Sequence, residues 1–150
     1  MRTKFLLLLI LLLAIGCAPK KVKIYDSQVV PEVRSGIVQY AVTLLGKPYR
    51  SAAKGPDAFD CSGLVHYVYR RFDVAVPNST DAINKVGHQV SEENTMVADL
   101  VIFKIKREFH VGIMISKREF IHATKSRGVA IDSVEGSYWR RNFSHYRRIL

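Results

Sequence analysis

The distribution of apolar positions divides the chain into three stretches. Phe5 to Ile15 is an unbroken apolar run behind Arg2 and Lys4. From Pro31 to about Phe72 the apolar residues recur at helical spacing. Val33, Ile37, Val38, Ala41, Leu44 and Leu45 form one stripe, and Leu64, Val65, Val68 and Phe72 a second. Pro31-Glu32 predicts the start of the first helix and Gly46 its stop. Asp60 is a natural N-cap for the second helix. A third short helix is expected from Ser79 or Thr80 to about Gly87. Beyond Asp99 the character becomes strand-like: Leu100–Phe103, Phe109–Ile115, Glu119–Thr124, Gly128–Val134 and Tyr146–Leu150. Helices followed by strands joined by short turns predict an α+β fold, N-terminal helices packed on a C-terminal antiparallel sheet.

The apolar run at the N-terminus has eleven residues, about half of what a bilayer span needs. It fits the core of a signal peptide. The small residues Ala14-Ile15-Gly16 lead directly to Cys17, which resembles a bacterial lipobox. That resemblance implies cleavage before Cys17 and acylation (palmitate included) of its thiol. The expected organisation is a signal peptide at 1–16, a lipid-anchored tether at 17–30 and one catalytic domain at 31–150. The membrane is then a partner through the lipid on Cys17. The same resemblance, with Ala18 rather than an aspartate after the cysteine, implies the outer membrane, facing the periplasm, as the expected location in a Gram-negative host.

Charge adds little beyond this. The chain carries 23 Lys+Arg against 13 Asp+Glu, and an excess of eight remains once Arg2 and Lys4 are set aside. In an exported protein the attractors for such a surface are anionic headgroups or an acidic wall polymer, not nucleic acid.

With Cys17 acylated, Cys61 is the single thiol of the mature chain and has no internal disulfide partner. An unpaired thiol in an oxidising compartment is either buried or used. Its neighbours Asp60, Ser62 and Gly63 are polar or small, which favours use. Capped by Asp60, Cys61 occupies the first helical position, where the helix dipole favours a thiolate. Its backbone N–H is free to face an oxyanion. Gly63 is expected to leave room for a substrate chain at the helix end.

A base is available on the strands. Alternation puts Phe109, Val111, Ile113 and Ile115 on one face, and His110 on the other with Gly112 and Met114. If Ser116-Lys117-Arg118 is the whole loop, Ile115 opposes Glu119 and Gly112 opposes His122. His122 then lies diagonally beside His110, roughly 7–8 Å away between Cα atoms, within reach of its ring. A two-residue loop would separate the histidines onto opposite faces. In this arrangement His110 is the general base and acid, and His122 orients it. His66, about 140° around the helix from Cys61, is expected at the surface with His88 and His145.

The blocks Gly46-Lys47-Pro48-Tyr49-Arg50, Asp60-Cys61-Ser62-Gly63-Leu64-Val65, Asp99-Leu100-Val101, His110-Val111-Gly112-Ile113, Phe120-Ile121-His122-Ala123, Gly128-Val129 and Tyr138-Trp139 occur in this order. Together they resemble the NlpC-type cell-wall cysteine peptidases, papain-like enzymes that cleave the peptide stems of bacterial peptidoglycan. The resemblance runs from about Val33 to Leu150. It implies a papain-like fold, Cys61 as nucleophile, His110 as base and His122 as polar third member. Tyr49 matches a tyrosine beside the nucleophile, with an oxyanion or substrate-orienting role. It implies peptidoglycan stem peptides as substrate, no cofactor and a monomer. The scissile bond is left open between D-glutamate and the diamino acid, or a diamino acid–D-alanine cross-link. Ser51-Ala52-Ala53, Ala58, Asn78 and Ile83 depart from the family pattern and are expected around the substrate cleft. Three other classes compete: a zinc hydrolase with Cys61, His110 and His122 as ligands, a non-catalytic wall-binding lipoprotein, and an acyltransferase using the same thioester.

Overall fold

The structure is a computed structural model that describes residues 29–150. The expected signal peptide, Cys17 and nearly all of the tether lie outside the described residues. Helix α1 (Val29–Thr43) begins two residues before Pro31. Pro31 therefore sits inside the first turn, where a missing N–H breaks no intrahelical bond. The helix gives way to a turn that ends at Gly46 with φ +78°. Ile37, Ala41 and Leu44 are buried, whereas Leu45, placed on the same stripe by its spacing, is exposed because the helix has already ended.

Helix α2 (Cys61–Arg70) is capped by Asp60, whose carboxylate accepts from the Gly63 N–H at 2.6 Å. Its buried face is Leu64, Val65, Val68 and Tyr69. Helix α3 (Thr80–Ile83) is capped by Ser79 and is only one turn long. The chain then forms β1 (His88–Val90), β2 (Leu100–Ile105), β3 (Glu108–Met114), β4 (Glu119–Thr124) and β5 (Gly128–Ser133), followed by α4 (Ser137–Asn142) and β6 (Phe143–Arg148).

The six strands form one antiparallel sheet in the order β1-β6-β2-β3-β4-β5. This is the expected α+β architecture, with two additions. Strand β1 has no apolar alternation to announce it; it pairs through its backbone with the edge of β6. Helix α4 carries Tyr138-Trp139 and shortens the room before the last strand, which starts at Phe143 rather than Tyr146.

Both faces of the sheet are covered. Leu100, Ile102, Val111, Ile113, Ile121, Ala123 and Val129 pack with α1 and α2 in the main core. Val101, Phe103, Met114, Phe120 and Tyr146 form a smaller cluster on the other face, partly covered by Trp139. Ile83, expected near the cleft, is fully buried in the main core. Helix α1 is tied to the sheet by Arg34, which donates to Asp99 at 2.9 Å and to the Leu150 carbonyl at 2.7 Å. Arg148 holds Asp99 from the other side at 3.0 and 2.7 Å. Among the described residues, no helix is long and apolar enough to cross a membrane.

The expected register of β3 and β4 is the observed one. Ile113 pairs with Ile121 and Met114 with Phe120, and the Ile115 N–H donates to Glu119 O at 2.9 Å across the three-residue loop. Pairing stops there. A cleft lies between Cys61 at the N-terminus of α2, the start of β3 and the end of β4.

Candidate active site

The cleft has a volume of about 650 Å³. Tyr49 and Cys61 line one side, His110 and Phe109 come from β3, and Ala123, Thr124 and Arg127 lie on and just after β4. Cys61 is half-buried and unpaired, at the first position of α2. Its sulfur lies 3.6 Å from the Thr80 hydroxyl at the start of α3.

The loop before α2 is fastened to the helix end through Asp60. Lys54 donates to both carboxylate oxygens, at 3.0 and 2.9 Å, and to the Ser62 hydroxyl at 3.2 Å. The single Ser62 O–H has two acceptors in reach, Asp60 Oδ1 at 3.1 Å and the Asn78 carbonyl at 3.0 Å. A Cβ on Gly63 would stand 2.1 Å from the Ala53 carbonyl oxygen. The space that Gly63 leaves is therefore filled by the protein's own loop, not by an approaching substrate as its sequence position suggested. This packing holds the first turn of α2 against the loop at Ala53, whose carbonyl also accepts from the Asp60 N–H at 3.0 Å.

His110 and His122 meet as the register requires, with Nε2 of His110 2.8 Å from Nδ1 of His122. His122 is fully buried, and its Nε2 lies 3.0 Å from Asp132 Oδ2. The same oxygen accepts from Arg127 at 2.5 Å and from the Trp139 indole at 3.0 Å. Asp132 went unrecognised in the sequence. The signal was there: Ala130 is the cross-strand partner of His122, so Asp132, two residues on, shares its face. Trp139 stacks on His110 at 5.4 Å between ring centroids and meets His122 edge-on at 4.8 Å.

Burial dominates the electrostatics. Desolvation pushes His110 down to about 3, helped by His122 and opposed by Asp132. Desolvation likewise pushes His122 down to about 4, against the hydrogen bond to Asp132. Both rings are neutral at pH 7. Burial pushes Asp132 up, but the hydrogen bonds from Arg127 and His122 outweigh it and hold the carboxyl below its ordinary range. Burial raises the Tyr49 phenol, and the nearby Cys61 adds to the rise.

Among the described residues, no group of three His, Cys, Asp or Glu side chains is arranged to hold an ion. Of the remaining histidines, His88 is exposed as expected. His66 and His145 are half-buried instead: the His66 ring pairs with the Val76 carbonyl at 2.7 Å, and His145 lies in β6. Ser51, Ala52, Ala53, Ala58, Asn78 and Ile83, expected around the cleft, do not line it. Several of them support the Lys54–Asp60–Ser62 loop or the core instead.

The chain is similar to several known proteins. The probable endopeptidase NlpC of Escherichia coli K12 is 34% identical over 153 residues, covering 96% of this chain and 97% of that protein. The murein DD-endopeptidase MepS/murein LD-carboxypeptidase of the same strain is 35% identical over 121 residues. That match covers 79% of this chain and 64% of the relative. A crystal structure of an NlpC/P60 family protein from Bacillus cereus superposes with a TM-score of 0.74 at 25% identity, over 78% of this chain and 40% of that one. Residues 46–148, the span that holds Tyr49, Cys61, His110 and His122, match the NlpC/P60 family, and the chain belongs to it.

Proposed function

We propose that the protein is a peptidoglycan hydrolase that cleaves amide bonds of wall peptides through a thioester on Cys61. The observation that carries this reading is the cleft itself. A half-buried thiol at a helix N-terminus shares it with His110, whose far nitrogen is engaged by His122 at 2.8 Å. Further support comes from relatives named as endopeptidases, one of them as acting on murein.

The chemistry follows from the geometry. Nε2 of His110 is occupied by His122, so Nδ1 is the nitrogen left to take the thiol proton. The thiolate attacks the scissile carbonyl, and the resulting oxyanion is received by the Cys61 backbone N–H, with the Tyr49 hydroxyl alongside. His110 then protonates the departing amine, leaving a thioester. Water, deprotonated by His110, adds to the thioester carbonyl; the thiolate departs and the acid product is released. Neutral His122 holds the His110 ring in place during each transfer.

The reading includes an envelope location, with the chain anchored by lipid on Cys17. Its support is the apolar run from Phe5 to Ile15 and the small residues that precede Cys17.

The test is digestion of purified sacculi by the full-length protein in mild detergent, with Cys61→Ala alongside and mass spectrometry of the fragments. Soluble peptides released only by the intact cysteine are the expected result, and their masses identify the bond. A folded protein that releases none would overturn the reading.

A further inference from the structure

The mechanism above leaves one buried contact of His122 without a task. Asp132 approaches the histidine pair from β5, and a single oxygen, Oδ2, accepts from Arg127 and Trp139 and lies 3.0 Å from His122 Nε2. The Arg127 and Trp139 N–H groups converging on Oδ2 require an acceptor there, and an ionised carboxylate is acceptor-only, so it can only accept from whatever His122 presents. The hydrogen bonds that hold Asp132 below its ordinary range keep it in that form.

Two neutral histidines joined Nε2 to Nδ1 share one proton between the facing nitrogens, and the pair can run in either direction. In one, His122 carries its proton on Nε2 and His110 carries its own on Nε2. In the other, both protons sit on Nδ1. Only the first leaves Nδ1 of His110 bare, and a bare nitrogen is what a thiol proton needs.

We propose that Asp132 is a positioning residue that sets this direction: its Oδ2 demands a proton on His122 Nε2, which bares His122 Nδ1, draws the His110 proton to Nε2, and opens His110 Nδ1 toward Cys61. This deepens the thiol-hydrolase reading and rests on it. Arg127 and Trp139 have a matching part. By holding Oδ2 from two other directions they keep the carboxylate ionised and aimed, so the His122 proton stays on the ring. The charged and titratable groups around the pair are Asp132 on β5, Arg127 in the β4–β5 turn, and Cys61, Tyr49, Glu108, Lys125 and Tyr138 on the cleft. From α4 and β2 the rings meet only Trp139 and Phe103, which carry no charge.

The test compares wild type, Asp132→Asn and Asp132→Ala as full-length protein in detergent, labelled with 15N-histidine. Long-range 1H–15N spectra at pH 7 report the tautomer of each ring, and iodoacetamide alkylation reports Cys61. Wild type is expected to show His110 and His122 entirely as Nε2–H. Asp132→Asn keeps this pattern, because its amide oxygen can take the three donors while its NH2 faces the open side of a residue 21% exposed. Asp132→Ala gives a mixture with visible Nδ1–H, and its alkylation slows by about tenfold or more. A wild-type spectrum with His122 as Nδ1–H overturns the proposal whether or not any variant folds. So does Asp132→Ala with both tautomers and alkylation unchanged. Neither readout uses a wall substrate. Correct tautomers without digestion of sacculi retain Asp132's role and sink the hydrolase reading; digestion with the wrong tautomers sinks the role alone.

Discussion

The indole of Trp139 lies nearly parallel to the imidazole of His110, at an interplanar angle of 27° with centroids 5.4 Å apart. The same indole donates its N–H to Asp132 at 3.0 Å. Trp139 therefore supports at once the ring proposed to take the thiol proton and the carboxylate behind it.

These two contacts can be separated. Trp139→Phe keeps a ring over His110 and loses the N–H; Trp139→Leu loses both. When His110 becomes an imidazolium during the reaction, a stacked ring stabilises it by about 1 kcal/mol. The leucine variant is thus expected to turn over about fivefold more slowly than the phenylalanine variant, and both more slowly than wild type. Steady-state kcat on soluble wall fragments checks this. Equal kcat for all three would remove Trp139 from the site's energetics.

Acid stability follows from the two neutral histidines. Their ordinary value is 6.5, and in the fold His110 is held at about 3 and His122 at about 4. Between about pH 4 and 6.5 the unfolded chain binds protons that the folded chain refuses, so stability rises with pH across that window. It is complete above 6.5 and is lost as pH falls toward the folded values. The loss from pH 7 to 4.5 is expected to be a few kcal/mol. His145, also lowered by burial, adds in the same direction. His122→Gln retains the His145 part and is expected to show a clearly flatter profile in urea titrations. A slope identical to wild type would contradict it.

Asp99 offers a purely structural contrast. It is fully buried between Arg34 and Arg148, and Arg34 is itself only 3% exposed. Removing the carboxylate leaves a buried guanidinium uncompensated, which costs about 3–5 kcal/mol. Asp99→Ala should lower the urea midpoint accordingly. Cys61 alkylation in the fraction still folded should be unchanged, because Asp99 does not line the cleft.

Gly63→Ala tests the wall behind the nucleophile. The added Cβ meets a backbone oxygen at 2.1 Å, and a carbonyl held by the Asp60 N–H cannot swing away like a side chain. Either the loop at Ala53 or the first turn of α2 must move. Overpacking of this kind costs about 1–3 kcal/mol. The first turn carries Cys61, so activity should fall further than the stability loss accounts for. A variant with unchanged turnover and melting temperature would show that the loop yields freely.

Much of the architecture was legible along the chain. Asp60 and Ser79 mark their helix starts because a side-chain oxygen is the local answer to unpaired N–H groups. The relation of His110 to His122 followed from strand alternation and the length of Ser116-Lys117-Arg118, both short-range properties. The misreadings share another cause. Strand β1 exists only because β6 lends it hydrogen-bond partners, and Ile83 is buried because α3 docks against the sheet. Gly63 looked like room for a ligand until the loop at Ala53 occupied it.

What the sequence determined by itself was therefore what neighbours a few residues apart decide: helix caps, strand faces, the β3–β4 register, and Cys61 at a helix N-terminus. Tertiary structure alone decided how α2, β3 and β4 come together around the cleft, and which groups close around the histidines. Asp132, Arg127 and Trp139 come from β5, the turn before it and α4. Their convergence on one oxygen depends on how those elements pack over the sheet, which no spacing along the chain encodes.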